Sequence, residues 1–501
     1  MATEPTGPAT RSYLTSTGLR KIEPYWYPYT TMAKGRWLGR EMLEVVSTEF
    51  RDRSIDYYRY ALESGVTTIN GKIAKPDTII QNGDRIENVV HRHEPPVTAK
   101  PVKIIYHDAE GEFVVIDKPG SIPVHAAGRY FRHTLVEILK NEFGYEKIYT
   151  VNRLDRLTSG LMILGLSNKT ASELSAEFRE GNVKKEYIAR CKGEFPAEEV
   201  TCDQPLLTVD RQMGLNIVHP DGKPATTIFQ RIRYDPDTHT SVLHCRPLTG
   251  RSHQIRVHLQ YLGHPIANDH VYSETRIWGE SLGKGGVDVT PSDERSAPLP
   301  PSELPESSDK LTRSEATPWA NGGKLLPRET GHDIGMGSPV PLSKEAVEII
   351  TRLRSLKDED EDWSRWRDVI FKAKGALAPR DIKIKAAPPQ NRRKRGGAAE
   401  TESEMPSAVT RTEPQLTDEE VASRVKDPEI TEGSGESLLP LDENGHRYCP
   451  ECYLPLHPDP NPESLYIFLH ALRYTTSLGS FETEMPDWAA EGADVGLGLM
   501  Q

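Results

Sequence analysis

Between about Thr275 and Glu443 the chain loses every apolar periodicity, and this stretch limits the fold more than any other feature. Pro, Ser, Glu and Gly dominate it, as in Pro298-Leu-Pro-Pro-Ser-Glu-Leu-Pro305. Such composition cannot bury enough apolar surface to offset the entropy of ordering. With 501 residues, 36% hydrophobic, 39 prolines and 38 glycines, the chain therefore divides into ordered parts and a poorly ordered one. Two islands interrupt the stretch. One is a possible helix over Leu342–Leu356, the other a basic run, Arg392-Arg-Lys-Arg395, read as a solvated cluster, a nuclear signal or a phosphate contact.

Charge follows the same division. The net charge is -12, but residues 1–100 carry +2, residues 101–272 are neutral and residues 273–501 carry -14. Acidity in the rear leaves the front free to hold phosphate in local basic patches. No apolar run approaches the ~18 residues that span a bilayer. Five cysteines suit a reducing compartment rather than a disulfide scaffold. The first twenty residues are Ser/Thr-rich with Arg11, Arg20 and one acid, Glu4. That composition is weakly transit-like, though Pro5, Gly7 and Pro8 spoil an amphipathic helix, so a disordered leader is expected.

Residues 1–47 are expected to form an N-terminal extension. A small α/β unit follows over 48–96. Ser54 caps a helix with Ile55, Tyr58 and Leu62 on one face, Asn70-Gly71 marks a tight hairpin, and Thr78–Ile80 and Ile86 begin a second short pattern. Residues 101–274 read as an α+β domain on a mostly antiparallel sheet. Phe113–Ile116, Leu161–Leu164, Lys185–Arg190 and Ser241–Cys245 are its strands, and the helix after Ser167 ends at Gly181. The insertion occupies 275–443. Order returns over 446–490, too short to fold alone and so expected to dock on an earlier segment.

The chemistry concentrates in Asn152-Arg-Leu-Asp155-Arg-Leu-Thr-Ser-Gly160. A carboxylate in such a turn is either a cap or a buried nucleophile held ionised by a nearby cation. Two further blocks stand downstream: Lys185-Glu-Tyr187-Ile-Ala-Arg190, and Leu248-Thr-Gly-Arg251-Ser-His253-Gln-Ile-Arg256-Val-His-Leu259 with Gly263-His-Pro-Ile266 and Asp269. In this order the blocks resemble the RluA family of pseudouridine synthases. The unit over 48–96 resembles the alpha-L RNA-binding module that precedes many of them.

The resemblance implies isomerisation of uridine in RNA without a metal or organic cofactor. It makes Asp155 the ionised nucleophile, Arg256 its ion-pair partner, and Tyr187 the residue that stacks on the target base and shuttles a proton. Arg153 fills the gap left by a flipped-out uridine. Arg251 and His253 order the turn or touch phosphate. Asn152 stands where the family more commonly has His, so titration is lost there while a donor and an acceptor remain. Leu465–Ala471 and Phe481–Pro486 resemble the closing strands of the same domain, which makes 275–443 an insertion within it.

Cys449-Pro-Glu-Cys452, with His446 and His457 nearby, is one pair where structural zinc needs four ligands, so no metal is expected. A fused zinc deaminase is excluded, because no His-x-Glu occurs in the sequence. Lys21–Tyr25 and the Cys-Pro-Glu-Cys tail look most like the fungal branch acting on tRNA uridine 32. Ribosomal RNA is the competing substrate, and a non-catalytic RNA-binding factor the rival of another class. The expectation is a cytoplasmic monomer that binds RNA and no membrane, with mitochondrial or nuclear alternatives.

Overall fold

The computed structural model describes residues 12–50, 55–63, 65, 67–210, 214–292, 338–360 and 459–493. Arg392–Arg395, Cys449, Cys452 and His457 lie outside these residues. A ten-stranded sheet organises the larger part. Along its main path run Val200–Asp203, Thr226–Asp235, Thr240–Pro247, Lys184–Lys192, Leu469–Thr476, Ser159–Gly165, Phe113–Lys118 and Lys103–His107. Every neighbouring pair is antiparallel except Ser159–Gly165 with Leu469–Thr476.

The strand from the C-terminal tail thus sits in the middle of the sheet. On one side it pairs with Lys184–Lys192, placing Tyr187 opposite Ala471, and on the other with Ser159 and Gly160. Gly160 has φ +114°, and a Cβ there would collide with the backbone of Ala471. The glycine of Thr-Ser-Gly is therefore required by the close approach of the tail strand. Ser159 also shares a 2.9 Å hydrogen bond with His470.

Local signals explain the flanking helices. Thr134 accepts from the Glu137 amide at the start of Leu135–Phe143, and Ser167 does the same for Thr170 at the start of Asn168–Glu180. Gly144 and Gly181 close them in the left-handed conformation. Leu135, Leu139 and Leu174 pack on Val114, Ile116, Leu161 and Ile163. On the other half, Ile255 and Leu259 of Gln254–Tyr261 pack with Ile188, Phe229, Leu243 and Phe468.

Two expected boundaries shift. The N-terminal unit begins well before residue 48, since Tyr25–Met32 pairs along its length with Arg85–Arg92 in a four-stranded sheet. Trp37, Met42 and Leu43 share its core with Tyr58, Leu62 and Ile86, so most of the supposed extension is part of the unit. Thr78–Ile80 forms no strand beyond a bridge from Ile79 to Glu41, its backbone bonding instead to Gly39, Arg40 and Met42.

The second shift is at 275. Ile277 and Trp278 are buried, and the helix Lys344–Asp360 packs Ala346, Ile350 and Leu353 against them and against Val257, Leu215 and Ile217. The helix expected over Leu342–Leu356 is present, but low average hydropathy concealed that its apolar face docks on the larger sheet domain. Replacing 285–440 by a Gly/Ser linker, which composition alone suggests to be harmless, is therefore expected to destabilise. Each lost Leu or Ile removes ~1.5–3 kcal/mol of burial, and scanning calorimetry should record a fall in Tm on the order of 10 °C. Truncation before Leu469 removes a central strand rather than an edge, and is expected to abolish cooperative unfolding altogether.

Candidate active site

The turn before Ser159–Gly165 carries Asp155, and the helix Gln254–Tyr261 carries Arg256. The Arg256 guanidinium donates from Nη1 to Asp155 Oδ2 at 3.3 Å. Its stronger contacts are elsewhere. Nε and Nη2 form a two-point pair with Asp269, at 2.6 and 3.0 Å. Asp269 is wholly buried and also accepts the backbone N–H groups of Val271 and Tyr272. The Tyr272 ring lies under the guanidinium, 4.9 Å from centroid to Cζ.

Asp155 keeps 28% of its side chain exposed, so one edge faces open space while the other meets Arg256. His253 Nε2 approaches the same oxygen at 3.5 Å, and its Nδ1 shares a 2.9 Å hydrogen bond with Tyr272. Burial pushes the Asp155 carboxyl up, but His253, Arg256 and Arg153 outweigh it and hold its pKa below the usual range. Burial and Arg256 in turn pull His253 down to about 4. At neutral pH its ring is uncharged, which leaves the two guanidiniums to keep Asp155 ionised.

Tyr187 reaches the same region from Lys184–Lys192. Its hydroxyl shares a 2.7 Å hydrogen bond with Tyr474 of the tail strand. Burial pushes the Tyr187 phenol up to about 12, with Asp155 adding to the shift. It remains protonated at any physiological pH. Arg153 is exposed beside Asp155. Arg251 is also exposed, and its Nε donates to the Pro224 carbonyl at 3.0 Å, which orders the turn.

The structure therefore gathers Arg256, His253, Tyr187 and Arg153 about Asp155 and leaves Arg251 exposed on the turn before the helix. Sequence reasoning missed four supports. Asp269 was visible in the Gly-His-Pro-Ile-Ala-Asn-Asp run but had no role, and Tyr272 and Tyr474 carried no signal. Lys118, just past the Phe113–Ile116 run, carried no signal either. It is fully buried, and its ammonium donates to the carbonyls of Pro119, Ile122 and Arg156 at 2.9, 3.0 and 3.3 Å. Burial pulls its pKa down to about 7, while Asp155 and three acceptors matching its three donors favour the charged form. The turn that carries Asp155 is held by this side chain through the Arg156 carbonyl.

Burial raises the Asp269 carboxyl, but Arg256 and the two backbone donors overcome it and leave the pKa at about 2. A depressed carboxyl stabilises the fold fully above its unfolded value near ~4 and loses that contribution as pH falls through ~2. Acid titration followed by circular dichroism should show about 2–3 kcal/mol lost across that window. Asp269→Asn is expected to remove this dependence and to be less stable at pH 7.

Among the described residues no group of three or more His, Cys, Asp and Glu could hold a metal ion, and no helix is long and apolar enough to cross a membrane. Comparison with known proteins adds to the geometry. A family described as RNA pseudouridylate synthase matches residues 112–261. The human protein Pseudouridylate synthase RPUSD2 is 35% identical over 96% of this chain and 76% of its own length. The mitochondrial tRNA pseudouridine(32) synthase of Saccharomyces cerevisiae is 48% identical over 54% of this chain. That match spans 58% of the yeast protein's length. The tRNA pseudouridine(31) synthase of the same yeast is 35% identical over 52% of this chain and 73% of its own.

Proposed function

Because the chain belongs to the RluA-type family of RNA pseudouridylate synthases, we propose that it converts uridine to pseudouridine in the tRNA anticodon loop, at position 32. The observation that carries the chemistry is the half-exposed Asp155 carboxylate, held ionised by Arg256 at 3.3 Å with Arg153 open to solvent beside it. The reaction is an isomerisation. The bond from C1′ to N1 breaks, C5 bonds to C1′, the C5 hydrogen leaves to solvent and N1 gains a proton.

Asp155 acts as the nucleophile that triggers cleavage. Arg256, fixed by Asp269, keeps the carboxylate charged and aimed. Tyr187 stacks on the base, and its protonated phenol joins Tyr474 in a hydroxyl pair able to relay a proton. Arg153 enters the gap left by the flipped nucleotide, since the reacting atoms are out of reach in a stacked strand. His253 supports Asp155 directly as a neutral ring rather than contacting phosphate. The N-terminal unit, residues 25–92, serves as an RNA-binding module.

Position 32 rests on the name of the yeast relative, and the cytoplasm is our assignment of compartment, with the mitochondrion favoured second by that same name. Pseudouridine mapping of total RNA with and without the protein tests the reading. Loss confined to tRNA position 32 is expected. Loss in ribosomal RNA instead would replace the substrate, and no loss in any RNA would overturn the activity.

A further inference from the structure

The linker His91-Arg-His-Glu-Pro-Pro96 holds a buried carboxylate that the catalytic site does not use. Glu94 is 8% exposed and accepts three consecutive backbone N–H groups, those of Phe131, Arg132 and His133, at 3.0, 2.9 and 2.9 Å. Tyr25, from the first strand of the N-terminal sheet, donates its hydroxyl to the same carboxylate. From the last strand of that sheet Arg92 donates to the carbonyls of Gly128 and Arg129, at 3.3 and 3.2 Å, with its guanidinium over the rings of Tyr27 and Phe131. Arg132 lies 4.4 Å over Tyr25. Loop 125–132 is thus fastened to the N-terminal sheet by a filled anion nest and a cation–π stack.

The other side of the loop meets the catalytic turn. His125 bonds Thr150 at 2.8 Å, and the Arg156 guanidinium sits 5.5 Å over the Tyr130 ring. Residues 125–129 and Arg153 are exposed. Arginines 92, 129, 132, 153 and 156 thus lie on or beside this loop between Asp155 and the N-terminal sheet, four of their neighbours being the rings of Tyr25, Tyr27, Tyr130 and Phe131. Glu94, the carboxylate among them, is turned inward and fully engaged. Such a surface suits a flexible polyanion with stackable bases.

We propose that loop 125–132, clamped by Glu94 and Arg92, is a docking surface for the phosphate backbone of the RNA strand that leads from the reacting uridine. The proposal rests on the synthase reading and assigns to Glu94 a positioning role. The N-terminal unit then binds RNA as one face with the catalytic domain rather than as a separate tethered module.

Filter binding of the full chain to an anticodon stem-loop and to an unrelated RNA hairpin, across a potassium chloride series, tests this. Arg129→Ala is expected to weaken both RNAs several-fold alike and to reduce the salt slope by about 1, with Tm unchanged. Glu94→Gln keeps the shape but halves the acceptor capacity, and is expected to raise KM for RNA several-fold more than it lowers kcat. Slopes equal to the parent's for Arg129→Ala, or a Glu94→Gln variant that loses kcat with KM unaltered, would overturn the proposal. A parent protein whose binding depends on these arginines but which releases no C5 hydrogen from any RNA would instead sink the synthase reading and leave the surface standing.

Discussion

Asp155→Asn is expected to bring pseudouridine formation down by at least ~10⁴-fold, the order of loss that follows removal of a covalent nucleophile. Asn preserves the volume of the side chain and its contact with Arg256, so the change isolates the charge. RNA binding should remain within a few-fold of the parent's, because phosphate contacts supply most of the affinity. Tritium release from C5-labelled RNA measures the first quantity and filter binding the second. Substantial residual turnover would mean that the carboxylate is not the nucleophile. Asp155→Asn is also expected to keep its fold, because Asp269 still holds the guanidinium.

Arg256→Ala is expected to be the more damaging change. Two carboxylates depend on this one guanidinium, and Asp269 has no solvent contact at all. Removing the shared cation strands Asp269 and leaves Asp155 with Arg153 alone, at a cost of roughly 3–5 kcal/mol for a single broken buried pair. Tm should fall by on the order of 10 °C, and turnover should vanish even in the folded fraction. Arg256→Lys distinguishes charge from geometry. A single ammonium cannot reproduce the two-point pair with Asp269 and reach Asp155 as well, so stability should recover in part while kcat stays low. An unchanged melting temperature in Arg256→Ala would show that the guanidinium supports neither carboxylate.

Much of the site could be read before any fold was known. Asp155, Tyr187 and Arg256 stand in three separate blocks, and the structure brings all three together. The helix caps Thr134 and Ser167 and the stops Gly144 and Gly181 are local, since each is encoded by residues within a few positions. His253 was underrated for a specific reason. Its residue type suits a phosphate contact or a turn, and its approach to Asp155 at 3.5 Å appears only in the folded chain.

Asp269 shows the same limit from the other side. Thirteen positions separate it from Arg256, and nothing in the intervening residues says that the chain folds back to give a two-point pair. Glu94 is read as linker because three successive amides satisfy it from 37 to 39 positions away.

By itself the sequence determined the local elements and the candidates for the site: a carboxylate and a guanidinium in separate blocks, helix ends marked by caps and glycines, and a long acidic stretch that divides the chain. The tertiary structure decided what is distant. It put Leu469–Thr476 in the centre of the sheet, brought Ser159 to His470 across 311 positions, joined Tyr187 to Tyr474, and packed Lys344–Asp360 onto the catalytic half. Apolar period and capping act between neighbours and are written in them. Strand order and the second partner of a buried charge follow from which surfaces bury together, and a residue's own neighbours do not encode that.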